Sequence, residues 1–291
     1  MRAAAQADGP VSTIQAGPYS LRGISVGGVY TSLQVPELSV VLDAGITLRA
    51  LCATDHVFLS HGHVDHIGGL FGLLGVRGMM QKPRPPRVYL PREIATELSE
   101  ALAATSRLQR FPLQIEAVPL APDDTICVAN NLWVRAFRTH HPVPSLGYQF
   151  VRRVKKLKPE FLTLSGPQIA EAKRAGVDLF DELEHLELCY ATDTLVRVLE
   201  TNPSMLQSRV LVLECTFFDE RKSLADSRAG CHIHLDELVE VVDRFRNQHI
   251  VLMHTSQIYS PQEAREILQR RCPPHFTERV QQLLPARGRW L

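Results

Sequence analysis

The feature that most constrains this chain is a dense histidine cluster that directly follows a short apolar run. Residues 60–69 read SHGHVDHIGG and hold three histidines and one aspartate within six positions. Extended backbone points alternate side chains the same way, so His61 and His63 can converge on one metal ion. Asp65 and His66 follow and can serve a second ion. The sequence therefore predicts a metal-binding loop at the end of a buried strand.

The remaining pattern predicts a layered α/β protein. Glycine turns and β-rich alternation over 11–45 predict a strand meander, and apolar runs then alternate with amphipathic segments. Such a mixture buries one face of each sheet against the other sheet and the second face under helices. Strands are predicted at 38–45, 56–60, 87–91, 132–138, 186–193, 209–217 and 249–254, and helices at 66–79, 92–106, 166–175, 194–207, 235–247 and 261–271.

Composition restricts the classes of protein further. Hydrophobic residues make up 45% of the 291 and charged residues 22%, which excludes a disordered or collagen-like chain. The formal net charge of +1 means that a polyanionic partner would need a local basic patch. Six scattered cysteines without a CxxC pair predict reduced thiols and a cytoplasmic protein. No apolar run reaches the ~18 residues of a membrane span, and the N-terminus lacks the apolar core of a secretory signal.

The histidine cluster resembles the HxHxDH loop of the metallo-β-lactamase superfamily. The resemblance implies a four-layer αβ/βα sandwich formed by one domain over 1–291, and usually two metal ions. It also implies that later strands end in further ligands, which we assign to His141, Asp193 and His254. Asp43, at an earlier strand end, would orient a ligating histidine. The implied ligand set is His61, His63, Asp65, His66, His141, Asp193 and His254.

Several longer stretches resemble one branch of that superfamily, ribonuclease Z, and its short plant-type form in particular. They read VRAFRTHHPVPSLGY, KKLKPEFLTLSG, VLECTFF and CHIHLDELVEVVDRFRNQHIVLMHTSQIYS. In that family a glutamate pairs with a histidine, and Glu214 and His232 occupy these positions. The resemblance implies an endonuclease that removes the 3′ trailer of precursor tRNA, works as a homodimer and binds two Zn²⁺ per subunit, with manganese or iron able to use the same ligands.

Phosphodiester hydrolysis gives these residues distinct roles. Asp65 would ligate metal and hold the attacking water, and His232 would protonate the leaving oxygen, with Glu214 favouring its protonated form. A short insertion at about 152–187 is expected to contact tRNA. Its basic residues are Arg152, Arg153, Lys155, Lys156 and Lys158.

Two alternatives remain open at this stage. Only residues 142–192 separate His141 from Asp193, so the long arm that many bacterial ribonuclease Z enzymes have between these ligands is missing. The segment 256–259 also lacks an arginine that ribonuclease Z commonly has. Both departures favour a small-molecule hydrolase on the same fold, such as a cyclic-nucleotide or other phosphodiesterase, or a thioesterase resembling glyoxalase II. The second alternative is an RNA-binding relative without catalysis, which the complete ligand set disfavours. His140 precedes His141, and His234 follows His232 by two residues. We expect both to lie outside the ligand set.

Overall fold

The computed structural model describes residues 11–285, which form two seven-stranded sheets. The predicted ends of the domain and the N-terminal segment 1–10 lie outside the described residues. In the first sheet, β1–β4 form the antiparallel meander predicted over 11–45, and β4–β7 run parallel. Its strands are Ser12–Ala16 (β1), Tyr19–Val26 (β2), Tyr30–Val35 (β3), Val40–Ala44 (β4), His56–Phe58 (β5), Arg87–Pro91 (β6) and Glu116–Leu120 (β7).

The second sheet repeats this plan, with an antiparallel half and a parallel half. Strands β8–β11 are antiparallel to their neighbours, whereas β11–β14 are parallel. Its strands are Thr125–Ala129 (β8), Leu132–Arg138 (β9), Leu146–Leu157 (β10), Phe180–Ala191 (β11), Val210–Glu214 (β12), His249–Met253 (β13) and Val280–Gln282 (β14).

The two sheets pack face to face, and helices cover their outer faces. Apolar side chains of both sheets form the central core, with Phe58 and Tyr89 of one sheet against Tyr148 and Phe150 of the other. One further core lies between each sheet and the helices that cover it, which gives the four layers that the family resemblance implied. The helices are Val64–Ile67 (α1), Leu70–Met79 (α2), Ala95–Gln109 (α3), Gly166–Arg174 (α4), Val198–Thr201 (α5), Leu224–Ala229 (α6), Leu235–Val239 (α7), Pro261–Arg271 (α8) and Pro274–Thr277 (α9).

Parallel strands determine where polar side chains meet. The carboxyl ends of neighbouring parallel strands lie at one edge of a sheet, and ligands commonly bind there in α/β proteins. Strands β4 and β5 of the first sheet and β11, β12 and β13 of the second each have a polar residue named above within three residues of their carboxyl end. The sandwich therefore gathers these residues from both sheets.

Three predicted helices are shorter or more broken than their sequence patterns indicate. The prediction of one continuous helix over 194–207 was wrong. Helix α5 ends at Thr201 and a separate 3₁₀ turn begins at Pro203, because proline has no backbone N–H with which to continue an α-helix. The segment 235–247 holds only α7 and a separate 3₁₀ turn. The segment 66–79 divides into α1 and α2 at Gly68 and Gly69, where an added Cβ on Gly69 would lie 2.3 Å from the Ile46 carbonyl carbon. The helices predicted at 166–175 and 261–271 are confirmed within a residue.

No helix within residues 11–285 combines the length and the hydrophobicity that a membrane crossing requires. Strands β7, β8, β10 and β14 were missed by the sequence patterns. Strands β7, β8 and β14 lie at sheet edges and have mostly exposed or half-buried residues, so their apolar periodicity is weak. In β10 a buried half continues directly into a basic half of exposed and half-buried residues, so one periodicity does not extend along the strand.

We expect Leu102→Ala in α3 to lower the free energy of unfolding by about 2–4 kcal/mol, because Leu102 is only 4% exposed in the core beneath the first sheet. Urea denaturation measures the change. Leu108 in the same helix is 85% exposed, so Leu108→Ala is the matched control and should change the free energy by less than about 0.5 kcal/mol. Equal losses in the two variants would contradict this packing.

Candidate metal centre

Three histidines and a carboxylate form the first of two candidate ligand groups that consist only of predicted ligands; a third group, Glu214, His232 and His254, is described below. His61 and His63 come from the loop after β5, and His141 and Asp193 follow β9 and β11. His63 Nδ1 lies 3.0 Å from His61 Nε2 and 3.2 Å from His141 Nε2. Asp193 Oδ2 is 3.7 Å from His61 Nε2 and 3.9 Å from His141 Nε2. One ligand atom from each residue therefore lies within 4.8 Å of the others.

The second group contains Asp65, His66, Asp193 and His254, again with ligand atoms within 4.8 Å of one another. His66 Nε2 and His254 Nε2 lie 3.3 and 3.2 Å from Asp193 Oδ1. Asp65 Oδ2 lies 3.5 Å from His66 Nε2 and 3.9 Å from His254 Nε2. The structure thus brings all seven predicted ligands together, and Asp193 turns one oxygen to each group.

The strand-end backbone is strained at this edge. Asp43, Asp193 and His254 have φ values of 56°, 41° and 60°, in the left-handed region that residues other than glycine rarely adopt. Hydrogen bonds hold them there; Ser25 Oγ, for example, accepts from the backbone N–H of His254 at 3.0 Å. Left-handed turns at these positions direct the side chains across the end of the sandwich.

The chemistry of these residues fits a divalent metal. His66 Nε2 and His254 Nε2 are buried and make no hydrogen bond to any described residue, a costly state that a metal ion would relieve. Burial lowers the pKa of His61 well below its ordinary value and that of His141 to about 4, so both imidazoles are neutral as ligands must be. Burial alone would raise the pKa of Asp193, but the charges of nearby histidines lower it, which keeps the carboxylate ionised.

Buried polar groups orient the ligating rings. Asp43 Oδ2 accepts from His66 Nδ1 at 2.8 Å, and Asp43 also accepts from the Ser60 backbone N–H and hydroxyl. Ser60 Oγ lies 2.9 Å from His61 Nδ1, and Tyr190 Oη donates to Asp43 at 2.6 Å. Holding Nδ1 in this way turns Nε2 of each ring toward the ligand groups.

The predicted pair of Glu214 and His232 lies beside the second group. Glu214, at the end of β12, is fully buried, and its Oε1 accepts from His232 Nδ1 at 3.2 Å. The His232 ring stacks on that of His254 at 5.2 Å between centroids. Burial by itself lowers the pKa of His232, but the charge and hydrogen bond of Glu214 outweigh it and raise the pKa to about 9.

Sequence reasoning missed the role of Thr216. Its hydroxyl donates to Glu214 Oε2 at 2.6 Å and lies 2.9 Å from His254 Nδ1. Thr216 follows Glu214 by two residues, a spacing that places both side chains on one face of an extended segment and could have identified it. Ser60 was part of the recognised motif, but its contacts depend on Asp43, which lies 17 residues earlier.

The two neighbouring histidines lie outside the ligand groups. His140 Nε2 lies 3.1 Å from Thr201 Oγ1. His234 Nδ1 accepts from the backbone N–H of Asp236 and caps α7. The choice of His141 over His140 therefore agrees with the geometry, whereas His234 has a structural role.

Most of the predicted tRNA-binding cations are paired with carboxylates on a long hairpin. Segment 152–187 forms the outer part of β10 and β11 with α4 between them, and the acidic stretch of β11 faces the basic one. The Arg153 guanidinium stacks 4.2 Å over Trp133 and lies 3.0 Å from Glu184. The other pairs are Arg152 with Glu187 at 3.9 Å and Lys158 with Asp178 at 2.7 Å, while Lys155 and Lys156 are exposed and have no such partner among residues 11–285.

Comparison with known proteins identifies the family. The Beta-lactamase superfamily domain matches residues 39–255. The chain is 34% identical over 250 residues to the chloroplastic tRNase Z TRZ2 of Arabidopsis thaliana, across 85% of this chain and 70% of that protein. It is 33% identical over 258 residues to tRNase Z TRZ1 of the same plant, across 88% and 92% of the two chains. The chain belongs to the tRNase Z family. As a member of this family it is a hydrolase with a divalent-metal site.

Two solved structures of metallo-β-lactamase-fold proteins share the fold of this protein. Human tRNase Z, short form, has a TM-score of 0.55 and 17% identity over 94% of both chains. The metallo-β-lactamase fold protein YhfI from Bacillus subtilis has a TM-score of 0.56 and 14% identity over 96% of this chain and 98% of that one. The layered metallo-β-lactamase sandwich predicted from the sequence is thereby confirmed.

We expect Asp193→Asn to lower the bound metal to less than about half of the wild-type content, because both ligand groups use this carboxylate. Asparagine tolerates a positive φ, so the fold should be retained, as circular dichroism can verify. Inductively coupled plasma mass spectrometry measures the metal. Asp181 is exposed and belongs to neither group, so Asp181→Asn is the control. Wild-type metal content in Asp193→Asn would refute a shared ligand.

Proposed function

We propose that this protein is a metal-dependent endoribonuclease that removes the 3′ trailer from precursor tRNA. The observation that supports it most directly is the Glu214–His232 pair beside the two ligand groups. A hydrolase that breaks a phosphodiester must protonate a poorly leaving sugar oxygen, and a histidine held by a buried carboxylate suits that task. The relatives named tRNase Z that align over most of the chain support the same substrate.

Within this proposal the chain's own residues have separate roles. The seven ligands would hold the metal, which supplies Lewis-acid stabilisation of the phosphoryl oxygens and lowers the pKa of a water molecule. Asp65, only partly buried, would orient the attacking water through its carboxylate. Because Nδ1 of His232 is engaged by Glu214, Nε2 is the atom left to give a proton to the leaving 3′ oxygen. Its raised pKa keeps that proton in place at neutral pH.

The proposal also covers the metal ions, the oligomeric state, the cellular location and the residues that contact tRNA. Imidazole and carboxylate ligands suit Zn²⁺, and we propose two zinc ions per subunit, since Asp193 divides its oxygens between two groups. Manganese and iron are the substitutes that the same ligands accept. We further propose one domain over 1–291, a homodimer and a cytoplasmic location. We assign tRNA contact to Lys155 and Lys156, which are exposed on the hairpin of β10 and β11. Arg152, Arg153 and Lys158 would contribute when tRNA phosphates replace their carboxylate partners.

One observation favours a second candidate, a phosphodiesterase acting on small molecules. The ion pairs of Arg152, Arg153 and Lys158 neutralise much of the basic charge that would attract a polyanion. The metal ligands and the Glu214–His232 pair would serve both candidates. Substrate size therefore distinguishes them.

The deciding experiment incubates the zinc-loaded protein with a precursor tRNA that has a 3′ trailer and maps the products. We expect one metal-dependent cut at the trailer junction, with Asp65→Ala as the control for contaminating nuclease. Hydrolysis of bis(p-nitrophenyl) phosphate without any cut in the precursor would overturn the tRNA assignment and support the second candidate.

For His232→Ala we expect cleavage of precursor tRNA to slow by about 10²–10⁴-fold, because the proton donor is removed. Metal content should stay at the wild-type level, since the seven assigned ligands remain. Single-turnover kinetics and metal analysis measure the two effects. His275, which is exposed and pairs with Asp243, gives the control variant His275→Ala. An unchanged single-turnover rate in His232→Ala would exclude the proton-donor role.

A further inference from the structure

A cavity of about 270 Å³ opens directly beside the metal centre. His141 forms part of its wall, so the cavity and the first ligand group share a residue. Four prolines form part of the remaining wall, beside polar side chains such as Thr139 and Ser145. The proline residues are Pro91, Pro122, Pro142 and Pro144.

Two side chains of opposite charge line this cavity without being paired. Arg138, the last residue of β9, and Glu93, in the turn before α3, are both exposed to the cavity side of the protein surface. Neither side chain has a hydrogen bond or ion pair within residues 11–285. Elsewhere arginines such as Arg153 are neutralised by nearby carboxylates, so an unpaired guanidinium and an unpaired carboxylate in one cavity favour a ligand that both accepts and donates hydrogen bonds.

One residue of the wall, His141, also has a polar atom without a hydrogen-bond partner. The side chain of His141 is only 3% exposed, and its Nδ1 makes no hydrogen bond to any described residue. In contrast, Nδ1 of His61, His66 and His254 lies within hydrogen-bond distance of Ser60, Asp43 and Thr216. Among these four rings, His141 is the one whose Nδ1 has no hydrogen bond to a described residue, but this atom is itself buried. The unpaired groups that are open to a ligand at this cavity are therefore those of Arg138 and Glu93.

We propose that this cavity binds the nucleotide flanking the scissile phosphodiester, with its backbone phosphate on Arg138 and an N–H donor of its base on Glu93. This inference rests on the proposed function. The proline side chains of the wall pack against the base and ribose. A cavity of about 270 Å³ is large enough for one nucleoside.

The first test compares two substrates of the zinc-loaded enzyme, precursor tRNA and bis(p-nitrophenyl) phosphate, which has no nucleobase. For Arg138→Gln and Glu93→Gln we expect the ratio of kcat/KM for tRNA over the small diester to fall at least about tenfold, mainly through KM. Arg107 and Glu97 are exposed charges of the neighbouring α3 that do not line the cavity, so Arg107→Gln and Glu97→Gln are the controls. A ratio that stays within twofold of wild type in both cavity variants would overturn the proposal.

The second test is independent of turnover. Titration calorimetry measures binding of the four nucleoside 5′-monophosphates and of ribose 5-phosphate to the wild type and to the cavity variants. We expect the monophosphates to bind at least about tenfold more tightly than ribose 5-phosphate, and Arg138→Gln to weaken them by a similar factor. Equal binding of ribose 5-phosphate, or binding indifferent to Arg138→Gln, would overturn the nucleotide site.

The two tests also separate failure of this inference from failure of the proposed function. If the wild type leaves precursor tRNA intact, the tRNA assignment fails, while binding of monophosphates that depends on Arg138 would still support the cavity as a nucleotide site. If precursor tRNA is cut and both cavity variants retain the wild-type substrate ratio, the enzyme assignment holds and the cavity proposal fails.

Discussion

The rest of the site depends on one carboxylate, that of Asp193. Its two oxygens face different groups of histidines, and those histidines come from both sheets of the sandwich. A buried carboxylate among so many imidazoles is acceptable because the charges of the histidines favour its ionised form. The same arrangement leaves His66 Nε2 and His254 Nε2 buried without hydrogen bonds, so the folded protein is prepared for metal before metal binds.

Each half of the molecule supports its histidines with the same chemical pattern. In the first half Asp43 holds His66 directly, and Ser60 lies between Asp43 and His61. In the second half Glu214 holds His232 directly, and Thr216 lies between Glu214 and His254.

In both halves the carboxylate belongs to the end of a parallel strand and the hydroxyl to the segment beyond one. The repetition follows from the two sheets, which share a plan of an antiparallel half followed by a parallel half. In the first half both supported histidines, His61 and His66, belong to the candidate ligand groups around Asp193, whereas in the second half His232 does not and is the candidate proton donor.

The sequence by itself determined the fold class and the candidate ligand set. The motif at 60–69, the meander over 11–45 and the strand-end positions of Asp43, Asp193 and His254 follow from local periodicity and from resemblance to a family, and both are readable along one chain. Only the tertiary structure decided which charged side chains form ion pairs and which remain unpaired. Arg153 and Glu184 lie 31 residues apart and meet because β10 pairs with β11, while Glu93, in the turn after β6, and Arg138, at the end of β9, line the same cavity. Pairing between distant segments depends on the packing of strands, which a one-dimensional pattern of residue types does not contain.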